Sequence, residues 1–145
     1  GLAALAEQVA PKAGEKTREA LRIYTVDDSK MLLNIYRSVL HNLGCEVVAF
    51  EFPAKAIDQV RDDRPDAILT DLNMPGLTGI DLAIKIRQWF SKEALPIIMV
   101  TTQQESQDFE DALSAGINGI IQKPFTESHI AAALKKFAGF KGLLN

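Results

Sequence analysis

Charged and hydroxyl side chains follow four short β-type runs of the sequence, at the point where each run ends. They are Asp27 and Asp28 after residues 22–26, Asp71 after residues 66–70, Thr101 and Thr102 at the end of residues 96–101, and Lys123 after residues 118–122. In an open parallel sheet the carboxyl ends of the strands meet at one edge, and ligands bind there. We therefore expect three carboxylates, a hydroxyl and an ammonium group to converge.

A cluster of three carboxylates limits the chemistry that is possible. Two like charges about 4 Å apart repel by roughly 4 kcal/mol at an effective dielectric constant of 20. Such a cluster either has raised pKa values or binds a cation. Oxygen ligands suit Mg²⁺, which takes one or two carboxylates, keeps several waters and leaves room for a phosphoryl oxygen. The set therefore predicts a magnesium site that can act on a phosphoryl group.

Each of these residues also has a purely structural explanation. Asp27 and Asp28 are good helix N-caps, and Asp71 fits a turn cap. Lys123 fits a solvated loop lysine, and Thr101 fits a β-branched strand end. The functional interpretation depends on all of them following strands at the same end.

The elements that must position these residues alternate along the chain. The predicted strands are 22–26, 46–50, 66–70, 96–101 and 118–122. The first three predicted helices run from the Asp27-Asp28-Ser29 cap to Gly44, from Pro53 to about Val60, and from the Thr78 and Asp81 capping box to about Phe90. The last two cover residues 105–115 and the segment that begins at the Thr126 cap. Strands that alternate with helices of this length predict an α/β fold, a doubly wound parallel sheet of five strands with helices on both faces.

Composition places the chain among ordinary folded domains. With 145 residues, 47% of them hydrophobic and 24% charged, it has room for one domain and one core. Sixteen basic against nineteen acidic residues give a net charge of −3, so we expect no direct binding of nucleic acid or of a membrane surface. No apolar run approaches the length of a bilayer span, and Cys45 is the only cysteine, so we expect a reducing, cytoplasmic setting.

The two histidines do not form a catalytic set. His41 and His129 are far apart in sequence, and each lies in a helical pattern, where we expect a solvated or half-buried role. Together with a single cysteine they exclude a zinc-finger type of metal site.

The residues at the predicted strand ends resemble a known family. Asp27-Asp28, Asp71-Leu72-Asn73-Met74-Pro75-Gly76, Val100-Thr101 and Lys123-Pro124-Phe125 are similar, in this order, to the receiver domain of two-component response regulators, including the chemotaxis-type receivers. The resemblance covers residues 22 to about 138. It implies a flavodoxin-like sheet with the strand order 2-1-3-4-5.

The resemblance also implies a role for each matching residue. Asp71 would be the phosphoacceptor for a histidine kinase's phosphohistidine or a small phosphodonor. Asp28, Asp71 and the backbone carbonyl of Asn73 would ligate Mg²⁺, and Asp27 would support the ion through water. Lys123 would pair with phosphoryl oxygens, and Thr101 would hydrogen-bond the phosphoryl group. The Lys123-Pro124 bond is a candidate cis peptide.

Other positions are expected to tune or relay the reaction. Asn73 and Gln103 flank the attack path, and we expect them to tune the lifetime of the acyl phosphate. Ile120 occupies the switch position where the family has an aromatic residue that rotates inward. Thr102, where the family often has alanine, is expected to restrict the same movement. We therefore expect the switch to rely more on the loop 101–106 than on residue 120.

Two regions lie beside the receiver pattern. Residues 1–21 are expected to be an N-terminal extension or linker, and residues 22–141 the receiver domain. Since Gly1 stands in place of methionine, we expect the natural chain to be longer. The helix at 79–90 has more apolar surface than one sheet contact requires, so we expect Trp89 and Phe90 to contact the N-terminal segment or another chain.

Partners and alternatives follow from the same reasoning. We expect a histidine kinase or phosphotransfer protein as the donor, and a downstream protein, or a missing attached domain, that is reached through the surface of helix four, strand five and helix five; a homodimer is compatible with the sequence. A magnesium-dependent phosphatase with an aspartate nucleophile is a rival, but Asn73 stands where such an enzyme needs a second acid. A degenerate receiver that acts only as an interaction module is the third interpretation.

Overall fold

The structure of the protein is a computed structural model that describes residues 20–102 and 106–142. Five strands alternate with five helices. The strands are β1 Arg22–Val26, β2 Glu46–Phe50, β3 Ala67–Thr70, β4 Ile97–Thr101 and β5 Gly119–Gln122. The helices are α1 Lys30–Asn42, α2 Pro53–Asp62, α3 Gly79–Ile86, α4 Ser106–Ser114 and α5 Glu127–Ala138. Within this described part, no helix is both long and apolar enough to cross a membrane.

The five strands form one parallel sheet in the order β2-β1-β3-β4-β5. Val26 at the end of β1 is paired with Phe50 on one side and with Thr70 on the other. Because neighbouring strands end in register, the residues that follow them lie at one edge of the sheet. The doubly wound α/β fold and the strand order expected from the resemblance are both confirmed.

Helices cover both faces of the sheet, which explains why β3 and β4 are buried along their whole length. One hydrophobic cluster joins one face to α2, α3 and α4, and the other joins the opposite face to α1 and α5. Successive strand residues serve alternate layers: Ile23 belongs to the α1 and α5 cluster, whereas Tyr24 belongs to the other.

Helix starts follow the predicted capping residues. Ser29, rather than Asp27 or Asp28, is the N-cap of α1, and its hydroxyl accepts the amide hydrogen of Leu32. Thr78 and Asp81 form the predicted capping box of α3. Asp27 and Asp28 are therefore not N-caps, and their carboxylates are available for another role at the end of β1.

Some boundaries differ from the prediction by a few residues. The helix predicted to continue to about Phe90 ends at Ile86, because the chain tightens into turns in which Gln88 and Trp89 donate to carbonyls three residues back. Strands β3, β4 and β5 each begin one residue later than predicted. At β4 the reason is Pro96, which has no N–H to donate to a ladder.

Trp89 and Phe90 are half-buried and pack against the α2, α3 and α4 cluster. The guanidinium of Arg61 on α2 lies 5.5 Å from the centre of the Trp89 ring, so part of the apolar surface is covered from within the domain. Residues 1–19, which include most of the segment predicted to contact these side chains, lie outside the described residues.

Candidate functional site

The site begins with two aspartates that follow neighbouring strands. Asp27 follows β1 and Asp71 follows β3, and the amide of Asp71 donates to the carbonyl of Val26 at 3.1 Å. The amide of Asp27 in turn donates to Phe50 at the end of β2. These backbone bonds fix both aspartates at the carboxyl edge of the sheet.

Three carboxylates meet at this edge. Asp27, Asp28 and Asp71 each offer an oxygen, and the three oxygens lie within 4.8 Å of one another. Burial differs among them: Asp27 is 1% exposed, Asp71 is half-buried and Asp28 is exposed. The cluster therefore opens to solvent on the side of Asp28, which gives an ion or a phosphoryl group a path of entry.

Lys123 supplies a positive charge beside two of the three carboxylates. Its Nζ lies 3.4 Å from Oδ2 of Asp27 and 3.4 Å from Oδ2 of Asp71. Its backbone N–H donates to the carbonyl of Thr101 at 2.9 Å, and its bond to Pro124 is cis, as predicted. One ammonium against three carboxylates leaves the cluster with a formal charge of 1 − 3 = −2, so it retains capacity for a cation.

Burial governs the electrostatics of Asp27. Loss of solvent raises the pKa of this carboxyl above its ordinary value, and the charge of Asp71 adds to the increase. The amide of Ser29, which donates to Asp27 Oδ1 at 2.9 Å, and the ammonium of Lys123 act in the opposite direction. A divalent ion would favour the charged form in the same way as Lys123.

The turn after Asp71 is held close to the carboxylate. Oδ1 of Asp71 accepts the amide hydrogen of Leu72 at 2.8 Å, and the amide of Gly79 donates to Leu72 O at 2.9 Å. A Cβ on residue 79 would clash with the carbonyl oxygen of Asp71. Gly79 thus allows α3 to start against the turn that follows Asp71. The sequence indicates this glycine only as a turn residue, and its spacing from Asp71 was the one signal that could have pointed to the close contact.

The remaining predicted positions are distributed around the cluster. Thr101 is fully buried at the end of β4, and Thr102 beside it is exposed. Asn73 is exposed in the turn after Asp71. Ile120 is half-buried on β5, paired with Met99, and packs against the α2, α3 and α4 cluster. Gln103 lies outside the described residues.

The donor set fits a hard divalent cation. The cluster offers only carboxylate oxygens, of which two come from adjacent residues and one from the neighbouring strand. Small oxygen-binding ions such as Mg²⁺ are held by one or two carboxylates with water completing the shell, which suits a cluster that is open on one side.

Comparison with known proteins agrees with this geometry. A sequence model of the response regulator receiver domain family matches residues 23–135. The chain is 32% identical over 117 residues to the chemotaxis protein CheY of Pseudomonas aeruginosa, covering 80% of this chain and 94% of that protein. It is also 30% identical over 145 residues to the sensor protein GacS of Pseudomonas syringae, covering 94% of this chain but 16% of GacS.

A solved structure with the same fold carries a metal. The receiver domain of a sensor histidine kinase from Pseudomonas aeruginosa is 28% identical, has a TM-score of 0.76 and covers 83% of this chain and 98% of that chain; it holds a magnesium ion in its active-site cleft. The chemotaxis protein CheY4 of Vibrio cholerae has a TM-score of 0.74 at 25% identity, covering 81% of this chain and 98% of that one.

The protein belongs to the response regulator receiver domain family, the signalling module of two-component systems. This chain covers 94% of the length of the CheY relative but only 16% of the length of GacS.

Proposed function

We propose that Asp71 accepts a phosphoryl group from the phosphohistidine of a histidine kinase or phosphotransfer protein, and that this event signals to a protein partner. One observation carries the proposal: Asp71 is a half-buried carboxylate with two other carboxylates and a lysine ammonium within reach, at the open edge of a parallel sheet. This arrangement has a nucleophile, a place for a cation and a fixed positive charge.

The metal, on this proposal, is held by the carboxylates of Asp28 and Asp71 and by the backbone carbonyl of Asn73, with Asp27 supporting it through water. When bound, Mg²⁺ neutralises charge on the phosphoryl oxygens. The oxygen-only donor set of the cluster and its excess of negative charge support this assignment.

The transfer itself needs little covalent help from the protein. A carboxylate oxygen of Asp71 forms a bond to phosphorus while the phosphorus–nitrogen bond of the donor breaks, and the electron pair remains on the ring nitrogen. Lys123 lies between Asp27 and Asp71, and its ammonium group would also interact with the incoming phosphoryl oxygens. Hydrolysis of the acyl phosphate would reset the site, with Asn73 and Gln103 tuning its lifetime.

The switch follows from the added charge. A phosphoryl group brings a charge of about −1.5 to −2 and strong hydrogen-bond acceptors. Thr101 would be drawn towards it, and its carbonyl is already bonded to the amide of Lys123. Since residue 120 is isoleucine rather than an aromatic residue, we propose that the signal travels through the loop 101–106 and α4.

The output surface is proposed to be formed by α4, β5 and α5. A cavity of about 780 Å³ lies along β5 and α5, and its lining includes Ile120, Lys123 and Phe137. Because Lys123 belongs both to this cavity and to the acidic cluster, a change at Asp71 has a short route to the surface. A cytoplasmic location and the formation of a homodimer belong to the same proposal.

The test is incubation with acetyl phosphate and Mg²⁺, followed by intact-mass measurement. We expect one added phosphoryl group on the unaltered protein, none on Asp71→Asn, and loss of the adduct on treatment with hydroxylamine. Asp58→Asn makes the same chemical change at an exposed site on α2 and should be phosphorylated normally. An unmodified native protein under these conditions would favour the interaction-module interpretation instead.

A further inference from the structure

Tyr36 on α1 is a buried residue that the phosphoacceptor chemistry does not use. Its side chain is completely buried in the cluster between the sheet and α1 and α5. Its ring lies 5.2 Å from the ring of Phe125, with an angle of 3° between the two planes. Phe125 comes two residues after Lys123, so the stack joins α1 to the turn that carries the reactive ammonium.

The hydroxyl of Tyr36 is the second observation. Among the residues that the structure describes, its oxygen has no hydrogen-bond partner, and neither does Oγ1 of Thr25. Thr25 lies on β1 two residues from Ile23 and from Asp27, so by the period of a strand it points into the same layer as Tyr36. A buried hydroxyl without a partner costs free energy, and such exceptions concentrate where a group serves another purpose.

The charges of the acidic cluster reach this hydroxyl. Burial raises the pKa of Tyr36 above its ordinary value, and the negative charges of Asp27 and Asp71 raise it further. The phenol therefore stays protonated. It can donate a hydrogen bond without adding a negative charge beneath three carboxylates.

We propose that Tyr36 is a positioning residue for Lys123: its ring stacks on Phe125 and holds the Lys123–Phe125 turn against α1, and its hydroxyl, which has no partner within the described part of the chain, is a neutral donor available in the layer that leads to Asp27. The lysine must reach two carboxylates at once, and its Nζ lies 3.4 Å from each of them. The amide bond from Lys123 to Thr101 fixes its backbone on one side, and the aromatic stack fixes the turn on the other.

The test separates the ring from the hydroxyl. Tyr36→Phe keeps the aromatic stack and removes the hydroxyl. Phe125→Leu removes the stack, and because Phe125 is only half-buried, this substitution avoids a large cavity in the core. Tyr24→Phe is the matched control, because Tyr24 is equally buried but its hydroxyl donates to Asp63, away from the site. Two quantities are measured: the ¹⁵N shift of Lys123 Nζ and the phosphorylation rate with acetyl phosphate at saturating Mg²⁺.

We expect Phe125→Leu to shift the Nζ resonance and slow phosphorylation. Tyr36→Phe should slow phosphorylation about fivefold, the ratio for one hydrogen bond of ordinary net strength that the hydroxyl forms only during the reaction. It should not lower the free energy of unfolding, because the hydroxyl has no partner before the reaction among the described residues. Tyr24→Phe should lower stability and change neither quantity. The proposal is overturned if Tyr36→Phe matches the native protein in both quantities, or if Phe125→Leu leaves the Nζ shift unchanged.

The rate depends on the proposed function, whereas the Nζ shift does not. If the native protein itself is not phosphorylated, the phosphoacceptor proposal fails. The Nζ shift of Phe125→Leu then still decides whether the stack of Tyr36 on Phe125 positions Lys123.

Discussion

The two edges of the sheet use similar charged residues in opposite ways. At the carboxyl edge, three aspartates lie close together, and one lysine lies 3.4 Å from two of them, Asp27 and Asp71. At the amino edge, Arg22 bonds Asp63 at 2.5 Å through its side chain and Asp66 at 2.7 Å through its amide. The hydroxyl of Tyr24 also donates to Asp63, at 2.8 Å to the carbonyl and 3.0 Å to the carboxylate.

A second network strengthens the amino edge. The guanidinium of Arg87 donates to the carbonyls of Gly116, Phe90 and Ser91 and to the side chain of Asn118, at 2.9 to 3.1 Å. Asn118 also accepts the amide hydrogen of Ile97, the first residue of β4. The ends of α3 and α4 and the start of β4 are joined at this point.

The difference shows how one sheet divides stability from function. At the amino edge the charged side chains of Arg22 and Arg87 are hydrogen-bonded to their neighbours, and these bonds stabilise the fold. The excess carboxylates at the other edge oppose folding, because crowded like charges repel, but in the proposed function they bind a cation and receive a phosphoryl group. Variants at the two edges should therefore move different quantities.

The largest effect is expected for Asp71→Asn. Phosphorylation should be lost completely because the nucleophile is gone, whereas the free energy of unfolding should stay the same or rise because one of three like charges is removed. Intact mass and urea denaturation measure the two quantities. A large loss of stability in this variant would mean that the site edge supports the fold after all.

Arg87→Met should have the reverse effect. Removal of its hydrogen bonds is expected to lower the free energy of unfolding by about 2–4 kcal/mol, while the folded protein should still be phosphorylated at the native rate. Lys85→Met, at an exposed position of the same helix, is the control and should stay within about 0.5 kcal/mol of the native protein. A slowed reaction in folded Arg87→Met would show that the two edges are coupled.

Asp28→Asn tests the exposed member of the cluster. We expect the dissociation constant for Mg²⁺ to rise about tenfold to a hundredfold, a range typical of lost metal-site partners, with little change in stability. Isothermal titration calorimetry gives the constant, and Asp58→Asn serves as the matched variant. Equal affinity in native protein and Asp28→Asn would remove Asp28 from the ion site.

Tyr24 and Tyr36 allow the two edges of the sheet to be compared with the same substitution. Tyr24→Phe should lose about 1 kcal/mol of stability at neutral pH, because a satisfied hydroxyl is removed, whereas Tyr36→Phe should lose none.

The pH dependence of stability gives a further check on Tyr24. Burial, with the hydrogen bond to Asp63, raises the pKa of Tyr24 to about 12, above the ordinary value of 10.0. The unfolded chain then loses this proton first, so the stabilisation is complete below pH 10 and is lost as the pH rises towards 12. Tyr24→Phe should reduce that alkaline loss in denaturation curves measured at several pH values.

The smallest effect is expected at Ile120. Addition of a phosphoryl mimic should shift the NMR signals of the loop 101–106 and α4 more than those of Ile120 and its neighbours on β5. Widespread movement around Ile120, as large as in receivers with an aromatic residue there, would mean that the aromatic ring is dispensable for the switch.

Much of the fold could be predicted from local patterns. The bounds of β1 and β2, the capping box of Thr78 and Asp81 and the cap at Thr126 are as predicted, because periodicity and capping act over a few neighbouring residues. The end of α3 was not predictable in this way. Apolar residues continue past Ile86, but Arg87 makes hydrogen bonds to Gly116 and Asn118, about 30 residues further on.

The site divides along the same line. The sequence by itself determined which side chains follow the strands, and the parallel order of the elements placed them at one edge. Only the tertiary structure decided that Asp27 is buried while Asp28 is exposed, and that Lys123 reaches an aspartate 96 residues away. The contact of Gly79 with Asp71 and the stack of Tyr36 on Phe125 also depend on the tertiary structure. Those contacts depend on strand order and on how the layers pack, and no local pattern encodes the distance between residues that far apart.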